Sequence, residues 1–141
     1  MAYRTRTDVR DTLKANIDVI KGSYTVYTNK FMKGKNYPCI VIESGGSVNY
    51  VDSYDMGAGA YKFNIYVLDK LDSITSDDSG SVFDSALDTV QESVDVMMNT
   101  VLGAIQPDCY FVSENSNQIL DFTDGNNRLV GLVVEVRAEN R

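Results

Sequence analysis

Residues 81–105, SVFDSALDTVQESVDVMMNTVLGAI, constrain the fold more than any other part of the chain. Gly80 precedes the stretch, Gly103 and Pro107 close it, and neither Gly nor Pro interrupts 81–100. It reads as one helix of about five to seven turns. At about 100° per residue, Phe83, Ala86, Leu87, Val90, Val94, Met97, Met98, Val101 and Ile105 share one face, a stripe wide enough to cover a sheet. Nearly opposite lie Asp84, Asp88, Gln91, Glu92, Asp95 and Asn99, whose charges are all negative where a solvated helix ordinarily mixes signs. A third strip, Ser85, Thr89, Ser93, Thr100 and Gly103, is small enough for another backbone to approach.

The sheet that this helix covers is legible on both sides of it. Residues 61–68, YKFNIYVL, alternate with Phe63, Ile65 and Val67 on one face and Lys62, Asn64 and Tyr66 on the other. Residues 37–43, YPCIVIE, read as a strand covered on both faces, with Pro38 tolerable only at its start. Residues 24–31 have the β-branched and aromatic content of an adjacent strand. Beyond the helix, a strand begins near 108–112 and ENSNQ interrupts it, after which 118–123 and 128–137 flank DGNN as a hairpin. In the last strand Leu132, Val134 and Val136 face one way, and Val133, Glu135 and Arg137 the other. An earlier helix starts at Thr7 or Asp8, carries Val9, Leu13, Ile17 and Ile20 on one stripe, and ends at Gly22. The expected fold is α+β: a mixed, largely antiparallel twisted sheet of four to six strands with two helices, the long one packed on one face as a crossover between strands. The length of 141 residues suits a single domain over 1–141.

Composition narrows the chemistry. Histidine is absent, which removes Ser-His and Cys-His pairs, His-ligated metals and the commonest general acid or base. With twenty acids, a carboxylate pair can be drawn almost anywhere and so identifies nothing. Asp69, Asp72, Asp77 and Asp78 lack calcium-loop spacing, and MGAGAYK lacks either phosphate-loop pattern. Cys39 and Cys109 have no metal-ligand spacing and read as buried free thiols. No enzyme activity, cofactor or metal is expected, and the acidic chain lacks the basic, aromatic stripe of a nucleic-acid reader. No apolar run approaches a bilayer span, and residues 1–20 lack a signal-peptide core, so no membrane partner is expected.

The net charge of −7 conceals a segregation. Residues 1–36 hold eight basic residues, Arg4, Arg6 and Arg10 among them, against three acids, a balance of +5; residues 71–127 hold eleven acids and no Lys or Arg, −11. Two ends of opposite sign allow copies to dock head to tail, with Arg4, Arg6 and Arg10 as a basic subunit-contact face and Asp84, Asp88, Glu92 and Asp95 as acids facing a neighbour or a lumen. The alternative is that folding brings the two segments together within one subunit. Residues 44–60 are rich in Gly, Ser and Asp and long for a connection. Ser44, Gly45, Gly46, Tyr50, Val51, Tyr54 and Met56 form a candidate partner-contact loop, expected to be mobile until a partner orders it.

The order of a basic first helix, a short strand, YPCIVIE, a Gly-rich loop, YKFNIYVLDK, the helix FDSALDTVQESVDVMMNTVL and a closing strand pair ending in LVGLVVEVRAEN resembles the tail-terminator (tail-completion) proteins of tailed bacteriophages. The resemblance covers most of the chain and is one of layout and strand character, without a diagnostic motif. It implies a structural virion protein, made in the host cytoplasm, whose subunits form a hexameric ring on the last ring of tail-tube protein. Such a ring stops tube growth and docks to the head connector while DNA passes through without sequence-specific binding. The family would place tube contacts in the loop at 44–60; the acidic helix face has no fixed counterpart. Stoppers, adaptors and other neck proteins are similar in size, and a monomeric or dimeric binding module or accessory enzyme subunit is the reading from a different class.

Overall fold

A fourteen-residue strand, Asn127–Asn140, organises the sheet. The computed structural model describes residues 5–20, 22–28, 36–45, 61–71, 81–103, 109–113, 118–124 and 127–140. Its elements in chain order are α1 (Arg6–Ile20), β1 (Thr25–Tyr27), β2 (Cys39–Gly45), β3 (Lys62–Lys70), α2 (Ser81–Gly103), β4 (Cys109–Ser113), β5 (Gln118–Asp124) and β6 (Asn127–Asn140). The six strands form one sheet in the order β1-β2-β3-β6-β4, with β5 also paired to β6. Only β1 and β2 run parallel; every other pairing is antiparallel. This is the expected mixed, largely antiparallel α+β architecture.

One edge of β6 is occupied by β3 from Arg137 to Leu129. Its other edge is divided, β4 pairing with Asn140 to Val136 and β5 with Val133 to Asn127. Residues 114–117 thus span a gap where β6 advances by only Val134 and Glu135. The two-residue excess is even, so β5 resumes with the face alternation that β4 left. Because β3 and β4 both run antiparallel to β6, they are parallel to each other, and α2 is the crossover that parallel strands require.

Both helices lie on one face of the sheet. Val9, Leu13 and Ile17 from α1 and Val90, Val94, Met97 and Val101 from α2 join Ile40, Ile42, Phe63, Ile65, Val67, Leu132, Val134 and Val136 in one buried cluster. At about 1.5–3 kcal/mol for each buried side chain of this size, this layer is the dominant favourable contribution to the fold. Phe83, Ala86, Leu87 and Met98 border the stripe half-buried, and Ile105 lies outside the described residues. On the opposite face Cys39, Val41 and Leu68 are buried beside Tyr27, Tyr37, Tyr66 and Leu120. β2 therefore does have apolar residues buried on both faces. Cys39 is a free buried thiol, as expected, and the side chain of Cys109 lies outside the described residues.

Several boundaries differ from the sequence reading. α1 begins before Thr7: the Asp8 backbone N–H donates to Thr5 Oγ1 at 3.1 Å, and the Thr5 N–H donates to Asp8 Oδ2 at 3.3 Å. Thr5 is the N-cap, and the pair is a reciprocal capping box with Asp in the place usually held by Glu or Gln. Thr5→Ala is expected to lower stability by about 1 kcal/mol in denaturant unfolding, whereas Thr7→Ala stays within about 0.5 kcal/mol. Of the strand expected over 24–31, Thr25–Tyr27 form β1 and Tyr24 and Thr28 do not join it, while 29–35 lie outside the described residues. β2 begins after Pro38 and continues through Ser44 and Gly45, which pair with Phe63 and Lys62. β3 and β6 also run further, to Lys70 and Asn140. The Gly125-Asn126 link joins Asp124 to its partner Asn127, so the DGNN hairpin forms where it was expected.

Candidate functional site

The acidic face of α2 points outward along its length. Asp84, Asp88, Glu92 and Asp95 are all exposed. Asp84 sits in the first turn, where the helix dipole favours a negative charge, but that effect fades within a turn and does not account for the other three. Asp95 Oδ1 accepts a hydrogen bond from Gln91 Nε2 at 2.9 Å. Among the described residues no cation forms an ion pair with Asp84, Asp88, Glu92 or Asp95.

The basic residues of α1 are arranged differently. Arg4 lies outside the described residues. The Arg6 guanidinium lies over the Tyr61 ring, 4.8 Å from its centroid. Arg10 Nη2 is 3.6 Å from Asp11 Oδ1, and its Nε is buried with no hydrogen-bond partner among the described residues. Lys14 Nζ meets Asp18 Oδ2 at 2.8 Å, an i,i+4 pair. Although α1 packs against α2, no ion pair joins them among the described residues, so the acids of α2 are not answered by the helix beside them. Of the candidate contact loop, exposed Ser44 and half-buried Gly45 form the end of β2, while Gly46, Tyr50, Val51, Tyr54 and Met56 lie outside the described residues.

One feature escaped the sequence reading. At the C-terminal end of α1 an open cleft of about 380 Å³ lies between α1, the start of β1, β2 and α2. Ile20, Ile40 and Met97 supply apolar lining, with Tyr24, Ser93 and Val96 beside them and Glu92 bringing one acid of the α2 face into it. Val96 is 55 % exposed, unusual for an apolar side chain on a packed helix. It belongs by angle to the strip of small residues, and its branched side chain in an otherwise polar strip is the signal that could have located the cleft. Within that strip Ser93 Oγ donates to the Thr89 carbonyl oxygen at 3.3 Å, and Ser93 lines the cleft beside Tyr24 of the same subunit.

Burial pushes the Tyr24 phenol above its ordinary value, the Ser93 hydrogen bond opposing the shift and the nearby Asp69 and Cys39 adding to it. Since the folded chain then holds this proton more tightly, stability falls as pH rises from about 10, the ordinary tyrosine value, toward the folded pKa. Ultraviolet titration of wild type against Tyr24→Phe is expected to show that the phenol lost in the variant ionises above the ordinary tyrosine value. Across the β5–β6 hairpin, Arg128 donates to Asp121 from Nε at 3.1 Å and Nη2 at 3.0 Å, which holds the Asp121 carboxyl below its usual range. The same guanidinium sits 5.5 Å from the Phe83 ring centroid, tying the hairpin to the first turn of α2.

Among the described residues, no group of three or more His, Cys, Asp or Glu is placed to hold a metal ion, and no helix is long and apolar enough to cross a membrane. The chain matches no family model and no curated protein.

Proposed function

We propose that the protein is a structural, non-catalytic subunit that assembles into a ring, and that it serves as the tail terminator of a tailed bacteriophage. On this reading it caps the tail tube at its head-proximal end and meets the head connector there. The observation that carries the proposal is the exposed acidic face of α2, whose four acids pair with no described cation of their own subunit. Like charges at i,i+4, as in Asp84 with Asp88 and Asp88 with Glu92, cost about 0.2–0.5 kcal/mol per pair in an isolated helix. Neither the core stripe nor the cap requires that cost, and a negative lining or a cationic neighbour would give it a use. A lining of this sign repels DNA phosphates and lets a duplex slide, where a basic one would hold it by counterion release. The order of elements along the chain supports the same family reading.

The engagement of Arg6, Arg10 and Lys14 within α1 or on Tyr61 favours a second reading, a monomeric binding module with a solvated acidic face. Addition of purified tail-tube protein separates the two. The terminator reading expects rings at one end of the tubes and a halt to tube growth, seen by electron microscopy; tubes of unchanged length with bare ends would overturn it.

A further inference from the structure

We propose that the cleft at the end of α1 receives residues 29–35, NKFMKGK, of a neighbouring copy of the chain. The inference rests on the ring reading and names the contact that would build it. Three observations converge on the cleft. Its lining joins buried apolar groups, Ile40 and Met97, to a half-exposed Val96, so an apolar partner side chain packed against them leaves water. Among the described residues its charge is negative, because Glu92 lines it and continues into Asp88 and Asp95 on α2, and because α1 ends there with its carbonyls and no basic residue in its last turn. Lys21, next in sequence, lies outside the described residues. The ring of Tyr24 adds an aromatic surface suited to a lysine stem or a cation.

An occupant of matching chemistry carries large apolar side chains between cations. Most described basic residues are already engaged within the subunit: Arg6 on Tyr61, Arg10 on Asp11, Lys14 on Asp18 and Arg128 on Asp121. Residues 29–35 combine Lys30, Lys33 and Lys35 with Phe31 and Met32. Of the residues flanking the segment, Thr28 follows β1 and the Asn36 N–H donates to Tyr27 Oη at 2.8 Å. The cleft lies at the Tyr24 end of β1, and on the ring reading the segment that fills it comes from the neighbouring copy.

The test titrates a synthetic peptide of residues 28–36 into the isotopically labelled whole chain while the amide signals of Tyr24, Ser93 and Val96 are followed by NMR. Saturable shifts at these three positions are expected, weakened about ten-fold by Glu92→Lys in the protein or by Lys30→Glu with Lys33→Glu in the peptide. In the whole chain, Glu92→Lys should reduce assembly on tubes, and adding Lys30→Glu with Lys33→Glu should restore it. Glu92 is exposed, so its replacement leaves the core intact, as circular dichroism can verify. Absence of saturable binding, or binding indifferent to Glu92→Lys, overturns the contact even if rings form. Peptide binding with the expected charge dependence, but no rings on tubes, retains the contact and removes the terminator reading.

Discussion

Gly131→Ala is expected to destabilise the protein by about 2 kcal/mol, although alanine is ordinarily the better strand residue. Gly131 lies in β6 between Leu68 of β3 and Leu120 of β5. A Cβ there would strike the carbonyl oxygen of Val67 and come within 2.7 Å of Leu68 Cδ2. The leucine tip can move; the carbonyl is part of the sheet and cannot. Overpacking of this kind costs about 3 kcal/mol, and removal of glycine's excess freedom in the unfolded chain returns about 0.5–1 kcal/mol. The clash therefore wins. Urea unfolding measures the difference, and a variant as stable as wild type would show that β3 and β6 separate more easily than their register implies.

Phe63→Ala should have a larger effect, about 4 kcal/mol. Phe63 is fully buried in β3, between β2 and β6, on the face that both helices cover. Its removal leaves a cavity where the two helices and the sheet meet, and the main chain of a central strand has little freedom to collapse into it. For a domain whose total stability lies in the usual range of about 5–15 kcal/mol, such a loss approaches unfolding. Ile119→Ala is the control. Ile119 belongs to β5 and is 57 % exposed, so its truncation should cost less than about 0.5 kcal/mol. Similar losses for both variants would contradict the placement of the core.

These expectations trace how the sequence conveys the fold. The stripe of α2 and the alternation of β3 were legible because each is long enough for its period to emerge, and the structure buries Val90, Val94, Met97 and Val101 on one and Phe63, Ile65 and Val67 on the other. The start of α1 was misplaced because TRTD offers two threonines, and only the reciprocal bonds between Thr5 and Asp8 decide between them. That β1 and β2 are adjacent was legible, but not that they are parallel: the eleven residues between Tyr27 and Cys39 are long enough for either direction. The acidic face was read from helical periodicity alone, and its four acids are exposed as that reading requires. The cleft was not legible, because Ile20, Tyr24 and Ile40 meet Glu92, Ser93, Val96 and Met97 only once the chain has folded.

The division of β6 between β3, β4 and β5 has a consequence for how the chain reaches its native state. None of these three strands pairs with another of the three, and β6 follows all of them in sequence. During synthesis, β3 can pair with β2 as soon as it emerges, but among the described residues β4 and β5 have no partner in this sheet until residues 127–140 leave the ribosome. Closure therefore comes late and joins β3 to β6 across about half of the chain, the kind of long-range pairing that slows folding and leaves strand edges open meanwhile. A nascent chain arrested within 127–140 would hold β1, β2 and β3 together at most, with Phe63 and Ile65 lacking Val136 and Val134 beside them.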